Sequence, residues 1–336
     1  MTRRHTSLAT ATALATAVLT APLVSTAASA APVPTSPTQA NTAAAAAAPS
    51  ATTPKQTHTG VIAYGAKNAL YVTTAAEGHK PRKVTAEPTG DYIEDVHLSA
   101  DGSRILYTAI QMEDKDNIAS RQDVVVDRAD GKQVYRSGTY KGSDKFYDHP
   151  GLSPDGKQIL VEGTDKKAIW FYDIATKKDS GKQPLEGDEW PLGVAPDGRV
   201  YVAHGADVVA VDTATGKRTT VLDRDEKKDV GNPVDIGADG SITYRSVEAC
   251  SAPITSHVKD VKKGTTRTFG HTATDDGITS PNGTQILLTR ADKARTLPCF
   301  GGDGAPAQEK VIVADLDGDN GRTLFTAGSY DWAPVN

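Results

Sequence analysis

Acidic residues recur in this sequence at places that would bring them together in space. Counting back six and seven residues from a series of regularly spaced turn acids gives Glu94-Asp95, Asp148-His149, Trp190-Pro191, Asn232-Pro233 and Asp275-Asp276. Tyr147, Glu189 and Tyr330-Asp331 stand close by. Carboxylates gathered from separate parts of a chain make an electronegative rim suited to a cationic peptide, an amine or a metal ion. For each single Asp the alternative is a cap on its own backbone connection, a common role of Asp in turns. The candidate ligand-binding set is Glu94, Asp95, Asp148, His149, Trp190, Asp275, Asp276 and Asp331. No resident cofactor is expected, and a divalent cation is the one inorganic ligand such a rim would accept.

Other chemistry is weakly represented. Asp315-Leu316-Asp317-Gly318-Asp319-Asn320-Gly321 resembles a calcium loop, but Asn320 replaces the Gly of the sixth position and Thr326 the Glu of the twelfth. A polar hairpin turn is the simpler reading. Cys250 and Cys299 are the only cysteines. In an exported protein an even count favours a disulfide, worth about 4 kcal/mol for a loop of this length, against two unpaired thiols. No nucleophile elbow, His-Glu-x-x-His pattern or phosphate-cradling Gly loop appears, so no catalytic residue is assigned. His97, His149, His204, His257 and His271 are scattered along the chain.

The elements that must position the acids are short hairpins. Leu152-Ser153-Pro154-Asp155-Gly156-Lys157 followed by Gln158-Ile159-Leu160-Val161 reads as strand, tight turn and strand. Pro154 presets φ, Gly156 admits the positive φ that closes the turn, and the apolar run is too short for a helix. Copies begin at Leu98, Val194, Ile236 and Thr279, with turn acids or Asn at 101, 155, 197, 239 and 282, spaced by 54, 42, 42 and 43 residues. A period in the forties with several short strands per unit is the signature of propeller blades. Apolar third strands recur at Ile169–Asp173, Val208–Asp212 and Val311–Asp315. The first unit, from Thr59, lacks its inner hairpin strand, and Asp331-Trp332-Ala333-Pro334 at the far end matches it. The reading is an all-β, six-bladed β-propeller in which the C-terminal strand closes the first blade. A closed ring sets equivalent positions of different blades on one circle, which is what would gather the acids at one mouth of the central channel.

Residues 1–30 carry Arg3-Arg4, an apolar centre from Leu8 to Val24 and a small-residue cleavage site at Ala28-Ser29-Ala30, the pattern of a signal peptide. Pro22 and several Thr interrupt a core too short to span a bilayer. Residues 31–57 form an Ala/Pro/Thr-rich tether that cannot bury a core, and residues 58–336 form the propeller. The formal charge of −5 becomes more negative when Arg3 and Arg4 leave, which argues against nucleic acid and an anionic membrane surface. The mature chain is expected outside the cytoplasm, with no membrane span, as a monomer.

The hairpins resemble the TolB-type (PD40, WD-like) β-propeller, whose repeat carries Trp/Leu-Ser-Pro-Asp-Gly-Lys, an Ile-rich strand and a later Val-Asp strand. The resemblance covers residues 59–336. TolB also has a small N-terminal α/β domain, for which residues 31–57 offer no counterpart, so the blade architecture is what the resemblance implies. The propeller of prolyl oligopeptidases is similar, but its hydrolase domain has no counterpart here. The function expected is a secreted, non-catalytic recognition module that takes a protein, peptide or small cationic ligand at the channel mouth. The alternative is an extracytoplasmic propeller enzyme, of lactonase or sugar-lyase type, with a metal at that mouth.

Overall fold

A computed structural model describes residues 60–66, 68–85, 90–114, 117–141, 151–163, 167–224, 233–246, 255–268, 277–290, 309–316, 321–327 and 329–334. Every regular element among them is a β-strand. The strands form six antiparallel sheets, each a four-stranded blade, five in chain order and the first led by the C-terminal strand, with a fifth strand added to the second. The expected signal peptide and tether of residues 1–57, Cys250, Cys299 and residues 317–320 of the calcium-like loop lie outside the described residues.

The repeated hairpin folds for local reasons. Gly102, Gly156, Gly198, Gly240 and Gly283 take φ between 62° and 87°, and each donates its N–H to the carbonyl three residues back at 2.7–2.8 Å. The preceding acid or Asn accepts the N–H two residues ahead: Ser103 to Asp101 at 2.9 Å, Lys157 to Asp155 at 3.2 Å, Thr284 to Asn282 at 3.2 Å. Where Ser opens the turn, its hydroxyl donates to that acid and accepts the N–H of the next strand, as Ser153 does with Asp155 and Gln158. Blade 5 has Gly237 there instead. The next blade's Thr279 hydroxyl reaches in to Asp239 at 2.7 Å, and a Cβ on Gly237 would lie 1.7 Å from its oxygen.

The ring closes as the repeats require. Ser329–Ala333 pairs antiparallel with Val61–Ala66, Val61 facing Ala333 and Ile62 facing Trp332. Strand alternation then sends Val61 and Ala63 into a core shared with blade 2, and Ile62 and Tyr64 into one shared with blade 6. Four more cores join blades 2 and 3, 3 and 4, 4 and 5, and 5 and 6, so every interface of the ring has its own apolar cluster. Both faces of a blade are thereby buried, which is why its middle strands read as continuous Val/Ile/Leu runs. The long spacing of 54 residues has its cause in blade 2, whose middle strands Arg104–Met112 and Ile118–Asp127 outrun the others and carry the extra strand Tyr140–Lys141.

Candidate functional site: the central channel

The innermost strands Tyr92–Leu98, Gly151–Leu152, Trp190–Val194, Pro233–Ile236, Gly277–Thr279 and Ser329–Ala333 surround the axis. Neighbouring inner strands belong to different sheets, so their channel-side N–H groups need partners other than a ladder. The residue four before the turn acid is His97 in blade 2, Gly151 in blade 3, Gly193 in blade 4 and Asp235 in blade 5, and Asp331 matches them on the closing strand. All five line one cavity of about 50 Å³, which runs on towards the turn residues Pro154 and Pro196.

Asp331 is an acid with a structural task. Its Oδ1 accepts the N–H of Trp332 at 2.6 Å and its Oδ2 accepts the N–H of Leu98, in the next blade, at 2.5 Å. Ser329 does the same two residues earlier, its Oγ accepting the N–H of Val96 at 2.8 Å. These two side chains bind the closing strand to the inner strand of blade 2. Removal from bulk water pushes the Asp331 carboxyl up to about 7, with the two N–H groups pulling the other way. Asp235 repeats the local half of the pattern, accepting the N–H of Ile236 at 2.9 Å. The rim reading grouped Asp331 with Glu94 and Asp95; the structure places it deeper, level with His97.

Glu94 and Asp95 stand where the inner strand of blade 2 begins. Glu94 pairs with Thr108 and His97 with Leu106, so Asp95 and Val96 together face Tyr107 alone: a β-bulge. Asp95 takes φ 49°, a left-handed conformation that only one other non-glycine residue, Lys177, shows among the described residues. It keeps solvent access although protein surrounds it closely. Partial burial raises the Asp95 carboxyl, with Asp123 adding to the rise and His97, Arg121 and a hydrogen bond with Thr108 opposing it. Burial also lowers the His97 imidazole against the pull of Asp95 and Asp123. Glu94 is raised by burial and then by Asp95, with Arg121 opposing. Behind them Thr108 donates to the buried Asp123 at 2.8 Å, and Asp123 takes its N–H to the Ser137 hydroxyl at 2.9 Å.

Of the remaining predicted residues, Trp190 opens the inner strand of blade 4, half-buried and paired with Ala203. Its neighbour Glu189 is buried and ion-paired with Arg218, and its Oε2 accepts the N–H of Glu186 at 2.8 Å, so it adds no free charge to the mouth. Asp148, His149, Asp275 and Asp276 lie outside the described residues. Sequence reading left His97 among the scattered histidines and Asp235, Arg121 and Asp123 unnamed. The first two share the register of Asp331, and counting back four residues instead of six would have found them. Asp123 and Arg121 come from a third strand and carry no repeat signal.

The closed ring of six four-stranded sheets decides the fold. Its fold is that of the TolB-type β-propeller. The similar solved structures include TolB from Acinetobacter baumannii, with a TM-score of 0.55 and 18% identity over 82% of this chain and 67% of that one. A TolB-assigned protein from Agrobacterium tumefaciens gives 0.51 and 16% over 83% of this chain and 99% of that one. A chain of a nidogen/laminin complex gives 0.50 and 9% over 82% and 98%. No protein-family model matches the sequence, and no curated protein does. No helix among the described residues of this TolB-type propeller is long and apolar enough to cross a membrane.

Proposed function

We propose that this TolB-type propeller is an exported recognition module whose channel mouth receives a cationic group, a lysine or arginine side chain of a peptide or protein partner. The observation that carries the reading is Asp95. A non-glycine residue held in the left-handed region costs about 1–3 kcal/mol, and such strain collects where a site must present a group in a fixed direction. Here the bulge presents a carboxylate beside a second one, Glu94, with a third, Asp123, behind it. Crowded like charges are relieved by a bound cation, which supports an ammonium or guanidinium as the ligand. The signal-peptide pattern of residues 1–30 supports export.

The test is calorimetric titration of the mature chain with an oligolysine peptide and an oligoglutamate control. Oligolysine binding that weakens with added salt, and that Asp95→Asn reduces about tenfold or more, supports the reading. Equal binding by wild type and Asp95→Asn sinks it. Binding of calcium or magnesium in preference to the peptide would replace the peptide with a metal as the ligand.

A further inference from the structure

The inner strands meet one requirement in two ways. In blades 2, 3 and 4 the residue that opens the hairpin turn donates its N–H to the second strand of its own blade. Ser99 donates to Arg104 at 3.0 Å, Ser153 to Gln158 at 2.9 Å and Ala195 to Arg199 at 2.8 Å. Main-chain direction alternates along an antiparallel pair, so the residue before each, Leu98, Leu152 or Val194, turns its N–H to the channel. A donor placed there needs an acceptor from elsewhere.

Between blades 1 and 2 that acceptor is Asp331. Its one carboxylate takes the N–H of the following residue, Trp332, and that of Leu98 in the next blade. Between blades 3 and 4 the matching residue is Gly151, the following residue is Leu152, and the match of Leu98 is Val194. A Cβ on Gly151 would stand 3.5 Å from the Val194 nitrogen and 3.8 Å from the Cα of Gly193. The place that a carboxylate fills at Asp331 thus holds no side chain at Gly151, and Gly193 opposite supplies none. No side chain among the described residues accepts the N–H of Leu152 or of Val194.

The surroundings suit a small group. Gly151, Leu152, Gly193 and Val194 all line the channel cavity of about 50 Å³. At roughly 10–15 Å³ for each water-sized atom, that is room for about four non-hydrogen atoms, the number in acetate. Pro154 and Pro196, half-buried at the hairpin turns, add apolar contact and mark the end from which a ligand enters. Glu94 and Asp95 stand at the other end of the inner strand. Of the acids in the cavity, Asp331 has both oxygens on main-chain N–H groups, and Asp235 turns its Oδ1 to Ile236.

We infer that the channel between blades 3 and 4 binds a carboxylate from outside the chain, its oxygens on the Leu152 and Val194 N–H groups in the place that Asp331 fills for blades 1 and 2. The carboxylate belongs to a free acid of acetate size or to a chain terminus. The site is independent of the cation proposed at Asp95.

Amide proton shifts of the isotope-labelled mature chain at about pH 6, below the value of about 7 for Asp331, read the two donors directly. Acetate at millimolar concentration should move the Leu152 and Val194 amide protons downfield in a saturable way, and leave that of Leu98, already bonded to Asp331, in place. Sodium chloride and acetamide at the same concentration should move neither. Gly151→Asp, which supplies the carboxylate from within, should show both amides shifted at the outset and bind acetate about tenfold more weakly or worse. If that variant does not fold, the wild-type titration decides alone. A trialanine peptide that binds more tightly than acetate, and loses binding on amidation of its C-terminus, assigns the site to a chain terminus; equal or weaker binding assigns it to a free acid. Leu152 and Val194 amides that acetate leaves unmoved, or that respond equally to acetamide or chloride, overturn the inference.

Discussion

Two acids of the channel, Asp331 and Asp95, belong to adjoining inner strands and have opposite characters. Asp331 sits in ordinary extended backbone with each oxygen accepting a main-chain N–H, one of them from the next blade. Asp95 sits in strained backbone, exposed, beside another carboxylate and in front of a third. The first holds the ring shut and leaves no oxygen without a donor. The second stands among like charges in strained backbone, at a cost to the fold. Acidity around a propeller axis is therefore not one property. A carboxylate whose lone pairs are filled by backbone is architecture, and one that crowds its own kind is what the proposed cationic ligand would meet.

The largest effect that separates the two regions should come from removing the closing strand. Deletion of residues 329–336 takes away the partner of Val61–Ala66 and the side chains that join it to blade 2. It also strips Trp332, 2% exposed, from the core between blades 1 and 6. Loss of about 5 kcal/mol or more is expected, enough to unfold a protein of ordinary stability, and thermal denaturation with limited proteolysis would read it. A truncated chain that melts with the full-length one would show that the strand only decorates the blade.

Next in size are the alanine variants of the two acids, which should differ in sign. Asp331→Ala leaves the N–H groups of Leu98 and Trp332 without their acceptors, a loss of about 2–4 kcal/mol by urea denaturation. Asp95→Ala removes a crowded charge and should leave stability unchanged or raised. Equal destabilisation by both would erase the distinction between them.

The pH dependence of stability sharpens the same contrast. Because the Asp331 carboxyl is raised to about 7 in the fold, the folded state binds a proton that the unfolded chain has released between about pH 4 and pH 7. Stability from this group is therefore highest at the acid end of that window and falls as pH rises through it, by up to roughly 4 kcal/mol, then levels off. Glu94 and Asp95, also raised, act in the same direction. His97, lowered in the fold, acts oppositely: its contribution grows as pH rises towards its unfolded value and levels off above it. Urea midpoints from pH 4.5 to 8 for wild type and Asp331→Asn isolate the Asp331 share. A variant whose profile parallels the wild type would assign the slope to the mouth instead.

The ring could be read from the sequence because the residues that build each turn also satisfy it. The Ser, Asp and Gly at 153, 155 and 156 make their hydrogen bonds to one another and to the next strand, so the motif survives as a string. Trp332-Ala333-Pro334 could be placed because it copies that string. The site was less legible. The bulge at Asp95 exists only as a mismatch with Tyr107 on the opposite strand, and spacing within one strand does not record it. The depth of Asp331 depends on which blade lies beside the closing strand, a property of the ring rather than of the repeat.

The smallest stability effect decides most about function. Asp95→Gly keeps the left-handed backbone available without a side chain, so the strain goes and the bulge stays. Asp95→Asn keeps the shape and tolerates the same φ but loses the charge. If the bulge serves the charge, both variants should fold, the glycine form should gain about 1 kcal/mol, and both should lose oligolysine binding in parallel. If the bulge serves the fold, through the network that runs from Asp95 by Thr108 to Asp123, the glycine form should lose stability and the asparagine form keep it. Paired thermal melts and peptide titrations on the two variants separate the cases, since only a charge held for a ligand predicts stability gained together with binding lost.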